Sequence, residues 1–362
     1  MRLGIVASSG SPWSYSVLEI LGELGAEIDL IHVPPESGRA YIDPTSSQWS
    51  ARVDSLHRVM RSVTIPDLPS GIRRYPALAG TLQTAQKQHG FSKVLTLYGG
   101  GFAASAALSK IPFHTYLVGS DVLTGSQFHQ IVSRFSLQRA LSLFANGPFL
   151  TDEARKLCGN TPIQNLLLGI NTTQFQIGPV NLSAPVRIIC SRGFSPVYNN
   201  ETIIRALSRL DDIADLFRFD FVAGGDQLRQ AMELAEGIFQ AGVRTSVHFH
   251  GGVSQDELRT ILADSEIFVS MSRSDGTSTS LLEALCSGLY PILSDIPPNQ
   301  NWTEYPDGAL VGVDDDEKLA DALRFAILNR EDLSQNRQAR SNHIHEVADS
   351  RKNLDKVLES LA

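Results

Sequence analysis

The chain has 362 residues, and at about 150 residues per domain that length predicts two domains. Apolar residues make up 42% and charged residues 19%, a composition that supplies two sizeable cores and excludes a disordered chain. A formal net charge of -8 argues against a general nucleic-acid-binding surface, and no run of about 18 apolar residues is present to span a membrane.

In chain order, residues 3–7 read as a strand, 8–12 as a turn and 15–24 as an amphipathic helix with Val17, Leu18, Leu21 and Leu24 on one face. Strands follow at 28–33 and 93–97. The second of these runs into Gly99-Gly100-Gly101 and an Ala-rich helix at 102–108. A strand at 114–117 and a helix leading into a strand over 137–145 complete the first half. Residues 176–185 (QIGPVNLSAP) break the pattern with two prolines and a glycine, and are read as a linker. Alternation then restarts. Strands are expected at 187–190, 219–223, 247–250, 267–271 and 290–294, and helices at 200–210, 227–241, 256–263 and 280–287. Strands alternating with helices at this spacing indicate parallel sheets covered on both faces. The predicted division is therefore 1–176, 177–340 and a polar helical tail at 341–362 packed on the first domain.

Cys158, Cys190 and Cys286 are widely spaced in apolar or small-residue surroundings, which predicts buried reduced thiols and a cytoplasmic protein. No cysteine pair has metal-ligand spacing, and the pairs His248/His250 and His343/His345 are not read as zinc sites. Residues 50–74 carry Arg52, Arg58, Arg61, Arg73 and Arg74 against Asp54 and Asp67. They read either as a solvated helix and loop or as a basic lip near an anionic acceptor or membrane face.

The chemistry concentrates in residues 270–302, SMSRSDGTSTSLLEALCSGLYPILSDIPPNQNW. A buried strand ends in a polar loop, and a helix begins near Thr279. Ligands of open parallel sheets bind beyond the carboxyl ends of the strands. A helix start offers unpaired amides and the positive end of a dipole, which suits phosphate. Small residues at Gly276, Thr277, Ser278, Thr279 and Ser280 allow close approach. Glu283 lies three residues after Ser280. That is capping-box spacing, and it is equally a carboxylate suited to accept from both hydroxyls of a ribose.

Asp275 and Glu283, eight residues apart and followed by EALCSGLYPILSD, resemble the Glu-x7-Glu donor motif of glycosyltransferase family 4. Glu283, Ala284, Gly288 and Pro291 match that motif in order, while Asp275 stands where glutamate is usual. Other segments carry the resemblance further. Ser191-Arg192 resembles the family's Gly-Arg, whose arginine binds donor phosphates; Val197 and Tyr198 fall where a lysine is usual. Gly224-Gly225-Asp226 resembles its Gly-Asp-Gly, and reads alone as a simple turn. LLLGINTTQF (166–175) resembles its Pro-x-Gly-Val-Asp-x-x-x-Phe. Val118-Gly119-Ser120-Asp121 resembles its His-Gly-x-Asp with the histidine replaced, and Gly10 is what remains of its N-terminal glycine loop.

The resemblance implies a GT-B fold: two Rossmann-like, doubly wound α/β domains facing a central cleft, with the C-terminal helix crossing back to the first. It implies a retaining glycosyltransferase that moves a sugar from a UDP-, GDP- or ADP-sugar to a glycan, lipid-linked or small-molecule acceptor. No cofactor or metal is needed, and a peripheral contact with the inner face of a membrane is left open. In that reading Glu283 holds the ribose, Asp275, Gly276 and Thr277 face the sugar, and the amides of Ser278–Ser280 hold the diphosphate. Arg192 stabilises the leaving group, Gly225, Gly10 and Tyr198 line the donor site, and Asp121 touches or activates the acceptor. Asp121 reads equally as a helix N-cap or a surface group, and Arg192 as half of a surface salt bridge. Three other readings stand beside this one. A nicotinamide-dependent oxidoreductase needs a G-x-G-x-x-G that neither half shows, since Gly99–Gly101 is followed by FAAS. The others are a non-catalytic GT-B protein that binds sugar nucleotides and a GT-B hydrolase or epimerase.

Overall fold

A computed structural model describes residues 2–8, 12–25, 27–33, 60–63, 67–123, 126–303 and 307–361. The chain forms two compact units, Met1–Leu168 with Ser350–Ala362, and Gly169–Asp349.

The first unit runs β1 (Arg2–Ser8), α1 (Pro12–Glu23), β2 (Glu27–Val33), β3 (Arg61–Val63), α2 (Arg74–His89) and β4 (Lys93–Leu97). It continues through α3 (Ala104–Ser109), β5 (Phe113–Leu117), α4 (Ser120–Leu123), α5 (Gln127–Leu137), β6 (Ser142–Ala145), α6 (Pro148–Cys158) and β7 (Ile163–Asn165). Its seven-stranded sheet has the order β3-β2-β1-β4-β5-β6-β7, and its strand pairs are parallel. Strand alternation sends Leu3, Ile5 and Ala7 of β1 into one core and Val6 into another on the opposite face. Both faces are therefore buried, as the near-continuous apolar strands require.

The second unit runs β8 (Val186–Cys190), α7 (Asn200–Leu207), β9 (Phe217–Phe221), α8 (Leu228–Ile238), α9 (Ala241–Ser246) and β10 (Val247–Phe249). Then come α10 (Gln255–Asp264), β11 (Ile267–Ser270), α11 (Thr279–Cys286), β12 (Tyr290–Ser294), α12 (Pro297–Gln300) and β13 (Ala309–Val311). The unit closes with α13 (Asp316–Leu328), α14 (Arg330–Ser334) and α15 (Arg337–Val347). The sheet order β10-β9-β8-β11-β12-β13 is the 3-2-1-4-5-6 order of a dinucleotide-type fold, again in parallel pairs.

Two boundaries differ from the sequence reading. The division falls between Leu168 and Gly169 rather than at 176/177. Ile170 N–H donates to Ala348 O at 2.9 Å, and Thr172 Oγ1 donates to Asp349 Oδ2 at 2.6 Å, so this stretch is tied to the second unit. The Gly/Pro-rich segment is likewise packed there, with Arg330 donating to Ala184 O at 2.7 Å and Asn181 O at 3.2 Å. Turn residues signal irregular backbone, not a domain boundary. The tail, expected as one helix, is two. α15 belongs to the second unit, and α16 (Ser350–Leu361) returns to the first. There Leu354, Val357 and Leu361 share a core with Val17, Leu18 and Leu21 of α1. Asn353 Nδ2 also donates to Leu167 O at 3.1 Å.

Candidate functional site

In the second unit, β8 and β11 pair side by side, so the loops at their carboxyl ends emerge together. The β11 loop leads into α11, whose N-cap is Ser278, its hydroxyl accepting from Leu281 N–H at 3.4 Å. That cap satisfies one orphan donor and leaves the Thr279 and Ser280 amides, which the helix cannot use, at its mouth.

Arg192, from the β8 loop, points into this mouth and is only 8% exposed. Its Nη1 donates to Ser278 Oγ and to Ser280 Oγ, the latter at 2.9 Å, and its Nη2 donates to Asp275 Oδ2 at 2.5 Å. The guanidinium carbon lies 4.2 Å from the centre of the Tyr198 ring, a stacked cation–π contact. The Nε atom is buried with no hydrogen-bond partner among the described residues. The sequence offered a surface salt bridge as the plain alternative for Arg192; the residue is instead buried and held on three sides.

Asp275 also accepts from the Gly276 amide at 2.9 Å, so Gly276 N–H serves Asp275 in this structure. Burial raises the Asp275 carboxyl, against the pull of Arg192 and the Gly276 amide. Glu283, on the second turn of α11, is half-buried. Burial pushes its carboxyl up to about 7, with Arg259 and then Arg192 opposing. It takes no part in capping, because the third helical residue is Leu281. The capping box of this unit is Ser254 with Glu257 at the start of α10. Among the described residues no donor hydrogen-bonds the Glu283 carboxylate.

Neighbouring turns hold the constellation. Asn199 adopts left-handed backbone at φ 53°, which asparagine tolerates. Its Nδ2 donates to Val313 O at 2.7 Å, and its Oδ1 accepts from Arg273 Nη2 at 2.8 Å. Arg273 N–H in turn donates to Val197 O at 2.8 Å, linking the Tyr198 turn to the loop that carries Asp275. Asn200 Nδ2 donates to Gly193 O at 3.1 Å, fixing the residue after Arg192. Gly225 has φ +148°, and a Cβ there would lie 2.3 Å from Phe194 O. Gly224 O accepts from Phe194 N–H at 3.0 Å. The Gly224-Gly225 turn thus packs on the Arg192 loop, and glycine is required by that approach. Sequence reasoning missed Arg259, Asn199, Asn200 and the serine clasp on Arg192. The NN dipeptide after Tyr198 was the only local sign of them.

The other candidates lie elsewhere. Asp121 sits in the first unit, buried, and accepts from Gly99 N–H at 2.8 Å, Gly119 N–H at 2.7 Å and Val118 N–H at 3.1 Å. Burial raises its carboxyl against those amides. It clamps the glycine turn to the end of β5, where a Cβ on Gly99 would meet Leu117 at 2.6 Å. Its carboxylate is already spent on three amides that precede α4, and Asp121 is itself a residue of that helix, so it is not the helix N-cap of the plainer reading but a tie between loops. Gly10 lies outside the described residues, as do Arg52, Arg58 and Asp54 of the basic lip. Arg61 is paired with the fully buried Asp29 at 2.6 Å, beside Arg2 at 3.2 Å. His250 Nε2 meets Asp220 Oδ1 at 2.7 Å, and His345 Nε2 lies 3.8 Å from Cys286 Sγ. The three cysteines are buried and unbridged. Among the described residues no helix is long and apolar enough to cross a membrane.

Residues 174–343 match the family model of Glycosyl transferases group 1. The GDP-mannose:cellobiosyl-diphosphopolyprenol alpha-mannosyltransferase of Xanthomonas oryzae pv. oryzae (strain PXO99A) is 32% identical over 109 residues, 30% of this chain and 29% of that protein. The protein of the same name from Komagataeibacter xylinus is 28% identical over 163 residues, 43% of this chain and 41% of its own. The chain therefore spans less than half the length of these relatives. Among solved structures, HepE of Anabaena in complex with UDP superposes with a TM-score of 0.79 at 14% identity, covering 100% of this chain and 99% of that one. The apo form of the lipopolysaccharide outer core galactosyltransferase WaaB gives a TM-score of 0.74 at 12% identity, covering all of both chains. The fold is GT-B, with two Rossmann-like units.

Proposed function

Taking the group 1 glycosyltransferase domain of residues 174–343 as the premise, we propose that the chain transfers a sugar from a nucleoside-diphosphate sugar to an acceptor hydroxyl. We place it within glycosyltransferase family 4, with retention of configuration. One observation carries the reading. Arg192 is clasped by Ser278 and Ser280 at the mouth of α11, and the Glu283 carboxylate, without a hydrogen-bond donor among the described residues, lies one turn further on.

The diphosphate docks at that mouth, on the Thr279 and Ser280 amides and the Arg192 guanidinium. These groups are fixed before the donor arrives, so charge developing on the leaving oxygen meets donors that need no reorganisation. Glu283 accepts from the ribose hydroxyls. Asp275 turns from Arg192 to a hydroxyl of the sugar, and the acceptor proton passes to the departing phosphate. The reading calls on no resident metal or cofactor. Asp121 acts in it as a positioning residue for the Gly99 and Val118 loops, not as a base.

The relatives' names make GDP-mannose the first donor to test and a diphosphopolyprenol-linked glycan the first acceptor. The UDP bound by HepE makes UDP-sugars the second. The test is donor binding followed by transfer, with wild type and Glu283→Ala. The reading expects one donor class to bind the wild type and affinity to fall about 100-fold in the variant, the loss of a bidentate carboxylate–diol contact. A variant that keeps full affinity, or a wild type that binds no nucleoside diphosphate, overturns it.

A further inference from the structure

The Gly99-Gly100-Gly101 run has no part in the donor site, yet the first unit is packed tightly around it. It lies just past the carboxyl end of β4. The sheet order β3-β2-β1-β4-β5-β6-β7 reverses direction between β1 and β4. In open parallel sheets the crevice for a ligand opens beyond the carboxyl ends at such a switch point. Tyr98, between β4 and the glycines, has φ 153° and ψ 133°. That region suits glycine and is an outlier for a bulky side chain. Such a backbone persists only where its surroundings over-determine it, and outliers of this kind cluster at ligand sites. Here Gly99 N–H donates to Asp121 Oδ2 at 2.8 Å, and a Cβ on Gly99 would lie 2.6 Å from Leu117. The residue after Tyr98 is thereby pinned to the end of β5. A glycine at position 98 would take the same backbone without strain, so the position holds a tyrosine for its ring.

The rings also account for the glycines. A Cβ on Gly100 would lie 3.1 Å from Cε1 of Tyr98. One on Gly101 would lie 2.8 Å from Cε1 of Tyr75, in the first turn of α2. Each of these glycines lets one tyrosine ring settle onto the turn. The Tyr98 ring meets Phe102 edge-on, with 6.2 Å between centroids and 72° between planes. Tyr75, Tyr98 and Phe102 are all half-buried, so three rings are held against one turn while part of each stays open to solvent.

We propose that Tyr98, with Tyr75, is a platform on which the sugar ring of the acceptor stacks, and that it selects a carbohydrate acceptor over other alcohols. The role as acceptor site rests on the transferase reading; the stacking of a sugar does not. A pyranose presents a face of C–H groups and a rim of hydroxyls. The C–H face packs on an aromatic ring, and the rim exchanges hydrogen bonds with phenol oxygens, the usual mix of apolar lining and a few polar groups in a ligand site. Rings already fixed on the turn lose little freedom when the sugar arrives.

The test is NMR titration of the full chain with cellobiose, maltose and the methyl pyranosides of glucose, mannose and galactose. Wild type binds at least one of them, and the ring C–H protons of that sugar shift upfield, the mark of an aromatic face above them. Tyr98→Gly weakens binding about tenfold or more and removes the upfield shift. Its denaturation midpoint stays level or rises, because the backbone strain is relieved. Tyr98→Phe keeps both the binding and the shift, and Gly101→Ala, which displaces the Tyr75 ring, weakens binding several-fold. Nucleoside-diphosphate binding stays unchanged in all three variants, since these residues lie outside the second unit. A wild type that shifts none of the sugars, or a Tyr98→Gly chain that binds as wild type does, overturns the proposal. A Tyr98→Gly midpoint well below wild type makes the tyrosine structural and overturns it too. Uridine or guanosine stacked on the same rings more tightly than any sugar assigns the platform to a base and likewise overturns it. A wild type that stacks a sugar but binds no nucleoside diphosphate keeps the platform and sinks the transferase reading.

Discussion

Arg192 and Asp275 are joined at 2.5 Å across the mouth of α11, so the cation proposed to receive the diphosphate already holds an anion. Asp275 is one methylene shorter than the glutamate usual in the resembling motif, and its carboxylate lies against Arg192. Donor binding then exchanges one anion for another on the same guanidinium.

Asp275→Asn removes the competing charge. Binding of the free nucleoside diphosphate should tighten about tenfold, the ~1.4 kcal/mol of one charge-assisted hydrogen bond returned to the ligand. Sugar transfer should fall, because the acceptor for the sugar hydroxyl is weakened. Calorimetric titration against the turnover rate separates the two; a diphosphate affinity that drops in the variant contradicts the exchange.

Arg192→Lys keeps the charge and loses the fork that spans Ser278, Ser280 and Asp275. Steady-state kinetics should show kcat/KM reduced about 100-fold or more, as for removal of a preorganised donor to a developing charge. A reduction of only a few-fold places the phosphate elsewhere.

Glu283 supplies a pH signature. Its folded carboxyl is raised to about 7, so the folded chain holds a proton that the unfolded chain releases near the ordinary value of 4.5. Its contribution to stability is present below the unfolded value and is lost as pH rises through about 7. Glu283→Gln should flatten that part of the unfolding free energy between acid and neutral pH. Nucleotide affinity should move the other way in the wild type, rising through the same window as the carboxylate forms and becomes an acceptor for ribose. Denaturant unfolding and titrations at matched pH values check both slopes, and parallel slopes in wild type and variant refute the assignment.

Gly225→Ala forces a Cβ to within 2.3 Å of Phe194 O at φ +148°. Destabilisation of about 3 kcal/mol is expected from the strained backbone and the overlap together. Because Phe194 adjoins the Arg192 loop, nucleotide affinity should fall too. An alanine variant with unchanged denaturation midpoint would mean that the turn relaxes freely.

Asp121→Ala orphans two buried amides and a half-buried one in the first unit. Unfolding should cost about 3 kcal/mol less than in wild type, with nucleotide binding by the second unit intact. Transfer activity in a still-folded variant tells whether the Gly99 and Val118 loops matter to the acceptor.

Much of this was legible in one dimension. The apolar strands at 3–7, 93–97, 267–271 and 290–294 stand out because a sheet buried on both faces needs unbroken apolar runs. The short strands Ile163–Asn165 and Ala309–Val311 carry too few such residues to announce themselves. The Asp275–Glu283 spacing pointed to α11, and the cap at Ser278 freed Glu283 from the capping-box alternative.

The linear order of residues by itself determined the α/β class, the two-unit plan and the segment around α11, since each follows from local periodicity, turn chemistry or motif spacing. Tertiary structure decided which groups meet. The serine clasp on Arg192 spans 86 and 88 positions, and the pair with Asp275 spans 83. It also set the destination of α16, whose apolar stripe would suit any complementary face and found it beside α1. Periodicity reports which face of an element is apolar; only packing in three dimensions selects its partner, because burial energy depends on area and not on the identity of the neighbour.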